Sequence, residues 1–359
     1  MINKKRLTKT FLDLVQIDSP SGEEKNVAKF TANRLTDLGG QVEFDSYGNV
    51  IAKFKGAGNP VMLNSHLDTV EPGRGIKPII KGDKITSDGT TILGADAKSG
   101  VASILEGIES VMENGTSHVP IEIVFTLGEE AGLLGAVNLD YSKIKSKIGV
   151  TLDNVRNVGH ITTSAPGYSK VDVAITGRAA HAGFDPENGI SAIKIASEII
   201  SKLSLGRIDH ETTANIGIIR GGSARNAIPE NAYLEAEIRS ISLKKLQKHT
   251  KHFEEVISRT LAKYKLASVL VNIKTEFDPY VFDKSQQAVE QAIKTLEKIN
   301  INPKLEPSGG GADVNIFNSK GIEAVCVGAG FYNAHTTREY ALISEMLQSA
   351  KFCEEFVSI

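Results

Sequence analysis

Five polar residues with metal-binding side chains follow apolar segments of the sequence. Imidazole nitrogens and carboxylate oxygens, without thiolates, suit divalent ions such as zinc, manganese or cobalt. In open α/β sheets, ligands bind beyond the carboxyl ends of the strands, so we expect these side chains to meet at one sheet edge. The residues are His66, Asp68, Glu129, Glu130 and Asp153.

Two further residues extend this candidate set. Asp96 lies in a turn of small residues, 94–100, ahead of a predicted helix, and His335 follows the apolar run 324–327. Taken singly, each of these residues also fits a simpler role, such as a solvated turn, a helix N-cap or a core or surface histidine. These simpler roles lose force when two histidines and several acids occur at the ends of strands that should share one sheet edge.

The combined set matches the needs of a dinuclear hydrolytic centre. Such a centre holds two metal ions about 3.5–4 Å apart, bridged by a carboxylate, and deprotonates a bound water near neutral pH. It needs one bridging acid, two terminal carboxylates, two histidines and one further acid to act as general base. The sequence therefore favours metal-assisted hydrolysis.

Apolar runs rich in β-branched residues alternate with helical patterns. The predicted central strands are 61–63, 121–127, 148–152 and 324–327. The predicted helices around them are 7–17, 23–38, 101–112 and 285–299. Ser21 is the expected N-cap of the second helix. This alternation predicts an α/β fold whose central strands are covered on both faces.

The segment 167–278 has a different order of elements. Its predicted strands and helices follow the order β-α-β-β-α-β, the ferredoxin-like motif, which forms a compact unit of its own. We predict that this unit is inserted into a larger domain formed by 1–166 and 279–359.

The composition excludes several classes of protein. The 359 residues carry 41 Lys and Arg against 43 Asp and Glu, a net charge of −2, which does not indicate nucleic acid or an anionic membrane as a partner. No stretch approaches the roughly 18 apolar residues that a spanning helix needs. The two cysteines, Cys326 and Cys353, fit a reducing compartment, and we predict a cytoplasmic protein.

The order and spacing of these motifs resemble a known family. The chain is similar to the di-zinc metallopeptidases that include peptidase T, aminoacylase and glutamate carboxypeptidase, and the segment 308–317 looks most like the peptidase T branch. The resemblance spans nearly the whole chain, from Asp18 to His335. It implies a zinc-exopeptidase-like catalytic domain with a mixed central sheet flanked by helices, and an inserted lid and dimerisation domain.

The resemblance also implies a role for each site residue. His66 and Asp153 would bind one zinc ion, Glu130 and His335 the other, and Asp96 would bridge both, with Mn²⁺ or Co²⁺ as possible replacements. Asp68 would orient His66. Glu129 would be the general base that takes a proton from the bridging water and passes it to the leaving amine. Ala97 departs from the family, because many relatives carry a second acid there, and we expect this to change metal affinity without loss of the site.

Four residues of the inserted domain and the 308–311 loop are implied to bind substrate. His181 would reach the active site of the partner subunit in a homodimer and stabilise the oxyanion, and Arg239 would hold a substrate carboxylate. Asn226 and Gly310 match further substrate-binding positions. A polar turn for His181, a proline-containing turn for Asn226 and a surface ion pair for Arg239 are the simpler alternatives.

The sequence thus predicts a metal-dependent exopeptidase that releases the N-terminal residue of short peptides, above all tripeptides. An amidase or deacylase of N-acyl amino acids on the same scaffold is the close alternative. A metal-binding α/β protein without catalysis is an alternative of a different class, but no ligand or base is missing from the motifs. Phosphate binding at 308–311 ranks last, because the loop lacks the G-x-G-x-x-G order and the Gly-Lys-Ser/Thr ending.

Overall fold

The computed structural model describes all residues from Met1 to Ile359, which form two units. The first unit contains Met1–Ser164, Phe282–Ser308 and Ala312–Ile359. The second contains Ala165–Val281 together with Gly309–Gly311. No helix is both long and apolar enough to span a membrane.

The helices are numbered in chain order. They are α1 (Lys4–Val15), α2 (Lys25–Asp37), α3 (Ala95–Asn114), α4 (Leu134–Asn138), α5 (Ala192–Ile200), α6 (Leu243–Leu261), α7 (Gln287–Lys298), α8 (Asp313–Ser319) and α9 (Ile343–Val357). Two short 3-10 helices cover Tyr141–Lys143 and Pro186–Asn188.

The strands are numbered in the same way. They are β1 (Gln41–Phe44), β2 (Val50–Phe54), β3 (Val61–His66), β4 (Ile79–Lys81), β5 (Lys84–Thr86), β6 (Ile121–Thr126), β7 (Ile148–Asn154), β8 (His160–Ala165), β9 (Gly167–Thr176), β10 (Gly206–Arg207), β11 (Thr212–Gly221), β12 (Asn231–Ser240), β13 (Ser268–Phe277), β14 (Tyr280–Val281), β15 (Lys304–Pro307), β16 (Glu323–Gly328), β17 (Phe331–Tyr332) and β18 (Tyr340–Leu342).

A mixed sheet forms the centre of the first unit. Its strand order is β1-β2-β6-β3-β7-β16-β8, and β15 pairs with β8. Strands β6, β3, β7 and β16 are parallel to their neighbours in this series, whereas β2 and β8 join it antiparallel. Every residue of β3 and β6 is buried, because helices cover both faces of a parallel sheet. A smaller sheet has the order β17-β18-β5-β4.

The second unit has the ferredoxin-like arrangement. Its sheet has the order β10-β11-β12-β9-β13, and all of its strand pairs are antiparallel. Along β9, buried and partly exposed residues alternate, so one face packs against helices and the other carries polar groups. Ser191 and Ser242 cap α5 and α6, since each hydroxyl accepts a backbone N–H three residues on. The predicted α/β fold with an inserted ferredoxin-like unit is confirmed.

The start of α2 differs from the prediction. The helix begins at Lys25, and its N-cap residue Glu24 makes no side-chain capping bond. Ser21 as the N-cap is therefore wrong. Its hydroxyl instead donates a 2.6 Å hydrogen bond to Oδ2 of Asp68. A serine ahead of acidic residues is typical of a helix start, but here a buried carboxylate far along the sequence competes for the same hydroxyl.

Candidate metal centre

The ends of three adjacent parallel strands converge on one site in the first unit. His66 is the last residue of β3, Asp153 lies near the end of β7, and Glu129 and Glu130 follow β6. Strand β3 pairs with both β6 and β7, so the three carboxyl ends lie side by side. This is the sheet edge at which ligands bind in open α/β folds.

Asp96 lies between two groups of potential ligands. Its Oδ1 is 3.2 Å from Nε2 of His66, which is itself 3.4 Å from Oδ1 of Asp153. Its Oδ2 is 3.3 Å from Nε2 of His335, which is 2.7 Å from Oε1 of Glu130. Each group has its ligand atoms within 4.8 Å of one another. One carboxylate therefore faces both groups, each with a different oxygen.

The backbone at Asp96 departs from the helix that follows it. Asp96 and Ala97 have non-helical dihedral angles although they lie at the start of α3, and the peptide bond between them is cis. The regular part of the helix begins just beyond them, so Asp96 belongs to a turn ahead of a helix, as its sequence context indicates.

The buried side chain of Asp68 contacts both the end of β3 and the loop that follows β6. Its Oδ1 lies 3.3 Å from Nδ1 of His66 and accepts the backbone N–H of Glu129 at 2.9 Å. Its Oδ2 accepts the N–H of Glu130 at 3.1 Å and the hydroxyl of Ser21. Burial alone would raise the pKa of Asp68, but His66 and these donors hold that pKa below its usual range. Asp68 thus faces the ring nitrogen of His66 that points away from Asp96.

The electrostatics of the site favour bound cations. Burial, reinforced by Asp96, raises the pKa of Asp153 to about 8, and burial together with Asp153 raises the pKa of Glu129 well above its usual value. Hydrogen bonds to Asp96 and Glu130 raise the pKa of His335 to about 10. Carboxylates crowded in a partly dry site repel one another unless they are protonated or share a cation. Two groups of nitrogen and oxygen donors with this excess of acid fit divalent ions of the zinc class.

Two buried groups at the site, Glu339 and Lys98, were not anticipated from the sequence. Glu339 is 1% exposed and binds the backbone of the 93–96 segment. Lys98 is fully buried, donates to the carbonyl of Ile17 at 2.8 Å, and has its pKa lowered by burial to about 7. Asp313 accepts the hydroxyl of Thr126, at the end of β6. The only sequence signal of Glu339 and Lys98 is charge at positions that turn out to be buried.

The structure places the four predicted substrate-binding residues in the second unit. Nδ1 of His181 accepts the backbone N–H groups of Gly183 and Phe184, both at 3.2 Å, which leaves Nε2 of the exposed ring free of these local bonds. The carbonyl of Asn226 accepts the N–H of Ala182 at 2.9 Å, so His181 and Asn226 lie on paired segments.

Arg239 lies on β12, where two neighbours fix its guanidinium. It forms two hydrogen bonds to Glu237, at 3.2 and 3.1 Å, and lies 4.7 Å from the ring centroid of Tyr168. A Cβ added to Gly310 would meet no atom within 4 Å, whereas one on the next residue, Gly311, would lie 2.3 Å from the ring of Phe277.

Comparisons with known proteins agree with this architecture. Residues 163–265 match the family described as the peptidase dimerisation domain of M20. The uncharacterized protein YqjE of Bacillus subtilis (strain 168) is 39% identical over 361 residues, which cover 98% of this chain and 97% of that protein. The crystal structure of aminopeptidase PepT from Bacillus cereus ATCC 10987 is 38% identical, with a TM-score of 0.92 over 99% of this chain and 98% of that one. A tripeptidase from Staphylococcus aureus subsp. aureus Mu50 is 34% identical, with a TM-score of 0.94 and the same coverage.

Proposed function

This chain belongs to the M20 metallopeptidase family, and we propose that it is a peptidase T-like exopeptidase that releases the N-terminal residue of short peptides such as tripeptides. The observation that carries the proposal is the placement of Asp96, whose two oxygens face two separate groups of ligands. That arrangement suits a pair of metal ions with a shared carboxylate. Similarity to an aminopeptidase and to a tripeptidase over nearly the whole chain supports the choice of substrate.

We propose that the two groups hold two zinc ions, with Mn²⁺ or Co²⁺ as alternatives. His66 and Asp153 would bind one ion, Glu130 and His335 the other, and Asp96 both. When bound, such ions lower the pKa of a water to near neutral and polarise the substrate carbonyl. Asp68 would fix the orientation of the His66 ring through Nδ1, which lies 3.1 Å from the backbone carbonyl of Asp68 and 3.3 Å from its Oδ1.

Glu129 is the carboxylate left over as general base. The ligand assignment above does not use it, and its neighbour Glu130 faces His335 instead. Its backbone N–H is held by Asp68, which sets where its side chain starts. Burial and Asp153 raise the pKa of Glu129 in the metal-free protein, and bound cations would lower it again, so that the ionised carboxylate could accept a proton from water and then deliver it to the amine that leaves.

The second unit supplies the proposed substrate contacts and the dimer. The match of 163–265 to a dimerisation domain supports a homodimer formed through this unit. His181 would stabilise the oxyanion, Asn226 and Gly310 would bind the peptide, and Arg239 would pair with its carboxylate. Because Glu237 and Tyr168 already hold the guanidinium of Arg239, little side-chain freedom is lost on binding.

The buried, unpaired Cys326 and Cys353 support a reducing, cytoplasmic location.

Two comparisons test the proposal. The first measures release of the N-terminal residue from a tripeptide panel against hydrolysis of N-acetyl and N-succinyl amino acids. We expect the peptides to be cleaved; turnover of the acylated compounds alone would contradict the peptidase and favour the amidase.

The second comparison uses Glu129→Gln and Glu130→Gln, adjacent glutamates with different proposed roles. Glu129→Gln should keep about two ions per chain and lose roughly 10²–10⁴-fold in kcat. Glu130→Gln should lose bound metal. A fully active Glu129→Gln protein would refute the role of Glu129 as base.

A further inference from the structure

Glu339 is a buried acid that the proposed mechanism does not use. It is 1% exposed and belongs to none of the ligand groups around Asp96. An acid is seldom buried this completely without specific partners. Its partners therefore indicate what it does.

The carboxylate of Glu339 binds three backbone N–H groups of the segment that carries Asp96. Oε2 accepts the N–H of Leu93 and of Gly94, both at 2.7 Å, and Oε1 accepts the N–H of Asp96 at 2.9 Å. All three hydrogen bonds are at the short end of the usual range, and together they use both oxygens. The backbone of 93–96 is thus folded around a single side chain.

Glu339 lies in the loop between β17 and β18, and this loop also carries His335, four residues earlier. Within this loop, the N–H of Glu339 donates to the carbonyl of Thr336 at 3.0 Å, and the hydroxyl of Thr336 donates to the carbonyl of Asn333 at 2.9 Å. Asn333 and His335 both have left-handed backbone conformations, with φ of 57° and 62°. Local bonds therefore fix the path of the chain from His335 to Glu339.

Glu339 consequently connects the 93–96 segment to its own loop. Each of the two contributes a proposed ligand to the group of Asp96, Glu130 and His335. Asp96 lies at one end of the connection and His335 at the other, and Nε2 of His335 is 3.3 Å from Oδ2 of Asp96. We propose that Glu339 is a positioning residue that sets the separation of Asp96 and His335. This separation would allow the second ion, the one proposed to bind Glu130 and His335, to bind. This inference rests on the proposed dinuclear function.

Glu339→Gln is the direct test, because an amide keeps one acceptor oxygen and turns an NH₂ group toward a backbone N–H. Glu122→Gln is the matched control. Glu122 is also buried, and it accepts the backbone N–H groups of Lys145 and Ser146, but it lies at the opposite end of β6 from the site. Both changes remove a buried carboxylate that organises backbone, and only one of them is near the ligands.

The measurement is titration of the metal-free proteins with Co²⁺, followed by the visible absorption of the bound ion. In Glu339→Gln we expect the second ion to bind roughly 10- to 100-fold more weakly, with an altered spectrum and a lower kcat at little change in KM. Glu122→Gln should bind both ions like the wild type. Glu339→Asp retains the charge and should recover part of the affinity, which keeps the test valid if the glutamine variant folds poorly.

The outcomes separate this inference from the proposed function. If the wild type binds two ions and Glu339→Gln has the same affinities and spectrum, the positioning role is refuted and the proposed function stands. If Glu122→Gln weakens the second ion as much as Glu339→Gln does, the effect is one of general stability, and the positioning role is again refuted. A wild type that binds no Co²⁺ would overturn the proposed function, and this inference with it.

Discussion

Asp68 shows how much of this site depends on a single side chain that need not bind a metal. It contacts His66, accepts the backbone of Glu129 and Glu130, and receives the hydroxyl of Ser21. A carboxylate with this many donors stays ionised although it is fully buried. The position of the proposed base and the orientation of His66 therefore depend on the same residue, whose backbone carbonyl also lies 3.1 Å from Nδ1 of His66.

Ser21→Ala should destabilise the protein by about 1.5–3 kcal/mol, because it removes a hydrogen bond to a buried, ionised carboxylate. The control is Ser285→Ala, which removes an equally short bond to Asp283, also 2.6 Å, at an exposed site. The control should change the free energy of unfolding by no more than about 0.5 kcal/mol. Urea denaturation of the two variants measures the difference, and equal losses would contradict the role given to Asp68.

Metal uptake should release protons near pH 7. In the metal-free protein, the pKa of Asp153 is raised to about 8 and that of His335 to about 10, so both groups are largely protonated at pH 7. Cations bind the carboxylate anion and the neutral imidazole, so these protons must leave, and the apparent affinity must rise with pH.

Calorimetric titration in two buffers of different ionisation enthalpy counts the protons released by this uptake. His335→Ala should release fewer than the wild type, because one of the protonated groups is gone. Uptake of metal without proton release would contradict this prediction.

The sequence predicted which site residues meet better than it predicted what supports them. His66, Glu130 and Asp153 come together because the carboxyl ends of adjacent parallel strands must share an edge. Glu339 could not be found in this way, because its partners are backbone N–H groups, which residue types do not reveal. The roles of the predicted residues stay predictions until they are tested.

At the scale of elements, α3 is constrained by how closely it approaches its neighbours. Gly100 faces the carbonyl of Leu152 on β7, and Gly107 faces the backbone of α9 at Ala350. A Cβ on either glycine would lie within 3.0 Å of a backbone oxygen. The helix that follows Asp96 can lie this close to β7, which carries Asp153, only because Gly100 lacks a side chain, and this close to α9 only because Gly107 does.

Gly107→Ala should destabilise the protein by up to about 2 kcal/mol. Alanine favours a helix over glycine by about 1 kcal/mol, but here its Cβ would lie 2.7 Å from the carbonyl oxygen of Ala350, and overpacking costs about 1–3 kcal/mol or more. The control is Gly217→Ala in β11, where the added Cβ meets only Nδ2 of Asn215 at 3.7 Å. Thermal unfolding should show a loss only for Gly107→Ala; an unchanged or higher melting temperature would refute the packing argument.

The elements that the sequence predicted are those with a strong local signal. Buried strands such as β3 and β6 contain short apolar runs, 61–63 and 123–125, and the helices show a regular apolar period. Several of the strands that were not predicted, such as β4, β17 and β18, have only two or three residues each, although β2 and β8, with five and six residues, were missed as well. Pairs this short are stabilised by the surrounding tertiary structure, and no local pattern specifies them.

At the scale of the whole molecule, the net charge of −2 is close to zero although one site is strongly acidic. Among the 43 acidic residues, seven lie in or beside the candidate metal centre of the first unit, and Lys98 is the buried lysine near them. These acids are Asp68, Asp96, Glu129, Glu130, Asp153, Asp313 and Glu339. Divalent cations would offset this charge, so the fold of the first unit should depend on metal more than composition indicates.

The two units have separate apolar cores, and every proposed metal ligand lies in the first unit. Removal of metal should therefore destabilise the first unit selectively. A ligand that binds only the folded state stabilises it by about 2.7 kcal/mol when its free concentration is a hundredfold above Kd. Because stabilisation is lost only where the ion binds, a chelator should lower the melting temperature of one calorimetric transition and leave the other unchanged.

Differential scanning calorimetry with and without EDTA makes the comparison, and Ile257→Val identifies the transition of the second unit. Ile257 lies in the core of that unit and is 1% exposed, so removing one methylene there should destabilise that transition by about 0.5–1.5 kcal/mol and leave the EDTA-sensitive one in place. If EDTA lowers the melting temperature of the transition that Ile257→Val also lowers, the metal binds in the second unit and not at the proposed ligands around Asp96. If EDTA changes neither transition, the proposed site binds no metal that stabilises the fold.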